Sequence, residues 1–276
     1  MPADAQPSAA VGQQALRNAA VRAAAMLGAV PDPKVPVPGL AWNVTETAAH
    51  LVAEIDDYAG FVAGERDAQD VLAGSAADRT PSQLSAASNA QQLEARAGSD
   101  IGQLAHRLVP AVEHFVAAGA GRSDDEPVLT TNGLSMTVPL MSSTLLGELL
   151  IHGFDIARAT GQEWPISSQD ALEVIGGVMT MVPDYLDTEK AAGLHVSYEL
   201  RFRGGPRYRL AIDDGAAEVT EPGPKVDCWI SADPVVFLLV GYQRIGQWGQ
   251  ILRGKMMAGG SKPWLGFKFG QLLTGP

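Results

Sequence analysis

Cysteine is nearly absent from this chain: Cys228 is the single thiol in 276 residues. No intrachain disulfide can form, and a zinc site built on several thiolates is excluded. Basic residues are also short, with 20 Lys and Arg against 31 Asp and Glu and a net charge of −11. Grip on phosphate backbones comes from Lys and Arg, so this balance argues against nucleic acid as a partner. Long hydrophobic runs are missing. The most apolar stretches, 145–151 and 235–240, fall far short of the roughly 18–20 residues a membrane helix needs. The opening Met1-Pro-Ala-Asp lacks the basic segment and apolar stretch of a secretory signal. These absences point to a cytoplasmic protein with no membrane partner. There is no Gly-x-Ser-x-Gly elbow, P-loop or dinucleotide fingerprint either.

What remains is an ordinary globular composition, 46% hydrophobic and 18% charged, long enough for one large domain or two modest ones. The first part reads as helices. One covers about 9–30 and is stopped by Pro31, Pro33, Pro36 and Pro38. Asn43-Val-Thr-Glu46 has the form of a capping box and opens a second, with Val44, Ala48, Leu51 and Ile55 on one stripe. Residues 68–82 read as a loop, followed by helices from about 81 to 97 and from Ser99-Asp100 through Phe115, the latter kinked at Pro110. Asn132-Gly133 predicts a type I′ hairpin turn. Ser142 or Ser143 is expected to cap a helix over 144–159, ended by Gly161, and another helix runs from Ser168 to about 186. After about Glu189 the pattern changes. Residues 195–203 and 207–212 alternate like half-buried strands, 217–220 and 226–231 are shorter strand candidates, and Asp233-Pro234 starts a helix. The closing segments around Trp248 and Trp264 read as helical. Helices first and strands later predict a helical domain over 1–190 and a smaller α+β domain over 191–276.

The sharpest local feature is Glu148-Leu-Leu-Ile-His152. Four residues apart on a helix, the two side chains share a face and can bind one divalent cation. His50, on another helix among small neighbours, is the candidate third ligand. Spacing of this kind is permissive, and a local hydrogen bond or a solvated pair explains it equally well. The apolar Leu149, Leu150 and Ile151 around the pair argue for burial, where a carboxylate and an imidazole need a partner. His106 and His114 are too far apart to share an ion, and His195 reads as filler or surface. Glu46 suits the cap and Glu54 a solvated face. Cys228 reads as a small buried hydrophobe. Trp229, Phe237, Leu238, Trp248, Trp264, Phe267 and Phe269 either line an apolar cavity or form the core of the second domain. Arg201, Arg203, Arg207 and Arg209 read as a solvated strand face, while Arg244, Arg253 and Lys255 are candidates for a substrate carboxylate.

Two segments, Trp42-Asn-Val-Thr-Glu-Thr-Ala-Ala-His50-Leu and Leu146-Gly-Glu148-Leu-Leu-Ile-His152-Gly-Phe-Asp155, resemble the mycothiol-dependent maleylpyruvate isomerase family. That family is part of the DinB-like four-helix-bundle superfamily. The resemblance covers about residues 10–188 and implies a metal held by His50, Glu148 and His152. The stretch from Ile230 to Gly241, with Leu252-Arg-Gly254-Lys-Met and 265–273, resembles a sterol-carrier-protein-like domain. The fold so implied is an N-terminal DinB-like four-helix bundle followed by a C-terminal α+β sterol-carrier-like domain. In the isomerase branch that domain contributes a basic residue to the site, for which Arg253 is taken as the candidate. Asp155, three residues past His152, can orient an imidazole, and Asn89 faces the cleft by position. The chain is long for that branch, with the extra residues at 66–82 and in the hairpin loop.

Three protein ligands on zinc, or on another divalent ion, leave an open position where a thiol loses its proton. The resemblance implies mycothiol as that thiol, attacking a small electrophile in a transfer or an isomerisation. The competing readings are a non-catalytic carrier of lipids or other hydrophobic ligands, and a metal-binding scaffold.

Overall fold

The structure, a computed structural model, describes residues 9–72, 79–223 and 225–274. Its packing divides the chain into two units, one ending at Pro165 and one running from Ile166. The sequence boundary at 190 follows the change from helices to strands. The packing boundary lies earlier because the helix over 168–181 packs with the sheet unit.

In the first unit, α1 (Ala9–Gly28) is rich in Ala and Leu, residues that lose little entropy in a helix. The next, α2 (Val44–Ala63), opens with the expected capping box: Asn43 accepts from the Glu46 amide, and Glu46 accepts from the Asn43 amide. Gly64 ends it in the left-handed conformation, φ 70°. A short α3 (Ala68–Leu72) occupies part of the expected loop, while 73–78 lie outside the described residues. Thr80 and Gln83 form a second capping box at the start of α4 (Pro81–Ala95), and Asp100 caps α5 (Ile101–Gly119), which carries Pro110 inside it.

A two-stranded ladder, β1 (Val128–Leu129) with β2 (Ser135–Met136), precedes α6 (Val138–Thr160). The turn is not type I′, because Asn132 does not have positive φ. The Gly133 amide bonds the Thr130 carbonyl and only Gly133 is left-handed, φ 80°. The Asn132 carboxamide oxygen accepts from the Leu134 amide instead. Thr137, not Ser142 or Ser143, caps α6, which therefore starts a turn and a half earlier than expected. Both serine hydroxyls donate back to helix carbonyls, Ser142 to Val138 and Ser143 to Leu140.

Helices α1 and α2 each pack on both α5 and α6, which makes a four-helix bundle, and α4 lies against α2. Leu16, Leu51, Ile55, Leu108, Phe115 and Leu145 are fully buried in it. Each such side chain contributes about 1.5–3 kcal/mol. Asp56 of α2 is tied to the end of α4 and to α5, accepting from Arg96 at 2.7 Å and Arg107 at 2.9 Å.

The second unit begins with α7 (Ser168–Met181), a 3-10 turn over Val182–Tyr185 and α8 (Thr188–Ala191). Strands β3 (His195–Phe202), β4 (Arg207–Asp213), β5 (Ala216–Thr220) and β6 (Cys228–Ala232) follow. Then come α9 (Pro234–Gly241), α10 (Gln247–Leu252) and β7 (Met256–Gly259). Reading the closing segments as helical missed β7, whose Met-Met-Ala-Gly carries no alternation of apolar and polar residues. The sheet order is β5-β4-β3-β6-β7, antiparallel except for the parallel pair β3–β6. Leu200 stands opposite both Tyr208 and Ile230, so one face is continuously apolar and packs against Ile175 and Met179 of α7.

On the opposite face two of the four arginines flank an acid. Glu199 is buried and takes Arg201 at 2.7 Å and Arg207 at 3.5 Å, while the Arg201 guanidinium lies over the Trp229 ring. The aromatic set therefore splits. Phe237, Leu238, Phe267 and Phe269 line a cavity of about 820 Å³, Trp229 lies on the other side of the sheet, and Trp248 and Trp264 are exposed. No helix among the described residues is long and apolar enough to cross a membrane.

Candidate metal centre

The capping box sets the phase of α2, so Thr47, His50, Glu54 and Asp57 fall on one side of it at spacings of three and four. Helix α6 supplies Glu148, His152 and Asp155 at spacings of four and three. Between them, Gly153 makes room for the Trp164 indole, which a Cβ at that position would strike. The Trp164 Nε1 donates to the Leu150 carbonyl at 3.0 Å, fastening the chain that leaves α6 back onto the helix.

His50, Glu148 and His152 come together, with one donor atom of each within 4.8 Å of the others. The Nε2 atoms of both histidines lie 3.3 Å from the same oxygen, Glu148 Oε2. The imidazole rings meet edge to face, with centroids 5.1 Å apart at 85°. Trp42 covers them, 5.1 Å from His50 and 6.1 Å from His152. His50 and His152 are buried, and Glu148 keeps 20% of its side chain exposed, so the cluster opens on the carboxylate side.

The outward nitrogens are held as well. His50 Nδ1 is 3.1 Å from Gln92 Oε1. His152 Nδ1 is 3.2 Å from Asp155 Oδ2, an ion-pair contact bent away from a straight N–H···O line. Burial works against ionising Glu148, but the two imidazoles outweigh it and hold its carboxyl well below the usual carboxylate range. Burial likewise works against charging His152, but Asp155 and Glu148 push it up to about 9. Glu54 is not on a solvated face. It accepts from Gln92 Nε2 at 3.1 Å, and burial, with Glu148 and Asp57 nearby, pushes its carboxyl up against the opposing pull of His50 and Gln92.

Two nitrogens and one carboxylate oxygen, converging from two helices with the outer nitrogens tied back, are a donor set suited to zinc and to other divalent transition metals. Asp155, nearly fully buried, takes the place beside His152 that its spacing implied. Asn89 does not reach the cluster as Gln92 does. It is half-buried one turn earlier on α4, and Gln92 makes the contact. Arg253 is exposed at the end of α10 in the other unit, with Nη1 on the Gly249 carbonyl at 3.2 Å. Gln92 was invisible from sequence because α4 has no apolar stripe: its buried residues are Ser88 and Gln92, both polar. His106 is exposed, His114 faces Glu65 at 3.6 Å, and exposed His195 contacts Asp213. Cys228 is fully buried, and burial pushes its thiol up.

Comparison with known proteins bears on the family and the fold. The sequence model described as the mycothiol maleylpyruvate isomerase N-terminal domain matches residues 12–157, a span that contains all three donor residues. The crystal structure of the mycothiol-dependent maleylpyruvate isomerase superposes with a TM-score of 0.54 at 12% identity, covering 91% of this chain and 92% of that one. A histidine-to-alanine mutant of that isomerase gives a TM-score of 0.54 at 14% identity, with the same coverage. At these identities the likeness speaks for the fold. No curated protein matches significantly. By the match over more than half of its length, the chain belongs to the mycothiol maleylpyruvate isomerase N-terminal domain family.

Proposed function

We propose that this protein is a metal-dependent enzyme that uses a low-molecular-weight thiol, mycothiol, to attack a small electrophilic substrate, as in maleylpyruvate-type isomerisation or thiol transfer. The observation that carries the reading is the convergence of two imidazole Nε2 atoms on one oxygen of Glu148. His50, Glu148 and His152 would hold the cation, zinc by donor preference, with Asp155 orienting His152. A divalent cation there would supply a Lewis acid strong enough to take the proton from a coordinated thiol.

The chain's own residues do the rest. Trp42 covers the imidazoles on one side, and the partly exposed Glu148 marks the side from which small molecules enter. Buried Cys228 is no nucleophile, so the sulfur must come from the cosubstrate. A thiolate adding to one carbon of a conjugated cis double bond makes that bond single. Rotation and loss of the same thiolate then give the trans isomer, with the thiol regenerated. A thiol cosubstrate and a single inert cysteine both fit a cytoplasmic location.

Elemental analysis of the protein purified without added metal, beside His152→Ala, tests the assignment. About one equivalent of metal is expected, lost in the variant. Stoichiometric metal retained in His152→Ala, His50→Ala and Glu148→Gln alike would sink it. Incubation of the loaded protein with mycothiol and maleylpyruvate then tests the reaction.

A second reading, carriage of a hydrophobic ligand, is favoured by the 820 Å³ cavity of the second unit, lined by Ile175, Val182, Ile230, Phe237 and Phe269. Cavities of this size suit ligands with an extended apolar part. Titration of the full chain with a fluorescent fatty-acyl ligand tests it, and no saturable binding ends it.

A further inference from the structure

Gln92 takes no part in the donor set, yet its amide is fixed from three sides. Its Nε2 lies 2.9 Å from Asp57 Oδ2 and 3.1 Å from Glu54 Oε2, and its Oε1 lies 3.1 Å from His50 Nδ1. An amide nitrogen has two hydrogens to give and an amide oxygen only lone pairs. Two carboxylate neighbours therefore settle which end of the Gln92 amide is which, because turning it over would set its oxygen against both. With the oxygen toward His50, Nδ1 must be the protonated ring nitrogen, and Nε2 is left with its lone pair directed at the cluster. Asp57 is itself anchored by Arg66, so the acceptor that orients Gln92 is held in place.

We infer that Gln92 is the positioning residue for His50: it fixes the Nδ1–H tautomer and the ring plane, so that Nε2 is presented as a metal ligand. The inference rests on the metal reading above and assigns to Gln92 the part that Asp155 plays for His152. It also accounts for a polar residue buried to 7% exposure on a helix with no apolar stripe of its own. The two histidines are thus oriented differently, one by a carboxylate on its own helix and the other by a neutral amide reaching across from α4. Outer partners of ligating histidines typically affect metal affinity by about 10- to 100-fold.

The test is zinc affinity of the full chain, by competition with a chromophoric chelator, for the native protein, Gln92→Met and Gln92→Glu. Met preserves length and packing but offers nothing to Nδ1–H. Glu restores an acceptor for it while giving up the donors to Glu54 and Asp57. Weakening of about 10- to 100-fold is expected in Gln92→Met, with recovery toward native affinity in Gln92→Glu. A slowly exchanging imidazole N–H resonance of the zinc-loaded native protein should disappear in Gln92→Met. Native affinity and an unchanged N–H resonance in Gln92→Met overturn the inference while the metal site stands. The same holds if Gln92→Glu binds more weakly than Gln92→Met, since Gln92 would then matter only as a donor. If the native protein itself binds no zinc, the metal reading fails and the inference falls with it. Far-ultraviolet circular dichroism checks that each variant keeps its helices, and if Gln92→Glu does not fold, Gln92→Met and the N–H resonance decide.

Discussion

Single side chains in this protein are fixed by what lies behind them. Glu148 is held as a carboxylate by two imidazoles, so Glu148→Gln, which keeps the shape and removes the charge, should lose more metal affinity than the roughly 10- to 100-fold an outer partner costs. Chelator competition reads this directly. A second residue of this kind is Asp227, whose Oδ2 accepts from the Ser197 amide and hydroxyl while Oδ1 faces Lys262 at 2.9 Å. The Lys262 hydrogen bond, with Ser197 adding to it against some burial, holds its carboxyl below the ordinary value. A depressed folded-state pKa means stability present above the unfolded value and lost as pH falls through the folded one. Asp227→Ala removes a solvent-screened ion pair together with the acceptor of the Ser197 amide, and should cost about 1 kcal/mol at neutral pH. That gap should narrow below about pH 4 in urea titrations repeated across pH; a gap that stays constant into strong acid would rule out the charge as its source.

Elements owe their ends and their contacts to particular residues, and these were unequally readable. The Asn43–Glu46 box marked the start of α2 because capping is local chemistry between residues three apart. Thr137 was missed at α6 because the serines five and six residues later are equally good caps in isolation, and only the fold shows them turned back onto the helix. Gly153 is legible as a small residue but not as a slot. Its requirement comes from Trp164, eleven positions on, laid across α6. Gly153→Ala should displace the indole and break its bond to Leu150, costing about 1–3 kcal/mol as overpacking does. A lowered Tm with a red-shifted tryptophan emission is the expected signature, and an unchanged spectrum would show that the ring has room.

At the scale of the whole molecule, ligand binding and stability are linked. Free zinc at 100 times its Kd stabilises the native state by about 2.7 kcal/mol. Scanning calorimetry should therefore show Tm rising with zinc and falling with chelator in the native protein, with neither effect in His152→Ala. A zinc shift that survives in that variant would place the ion elsewhere.

Determined by sequence alone were the order of helices and then strands, the caps of α2 and α9, and the pairing of Glu148 with His152 on one helix face. Each depends on residues within about four positions of one another, where backbone geometry fixes what meets what. His50 was a candidate third ligand by its small neighbours, but only the resemblance tied it to the pair, because 98 residues separate it from Glu148 and no periodicity connects them. Tertiary structure alone decided that α7 packs with the sheet, that the Trp229 ring lies on the sheet face away from the cavity, and that Gln92 rather than Asn89 reaches the site. Those outcomes depend on which faces of separate elements are pressed together, and a polar residue buried by its neighbours leaves no hydrophobic trace in its own segment.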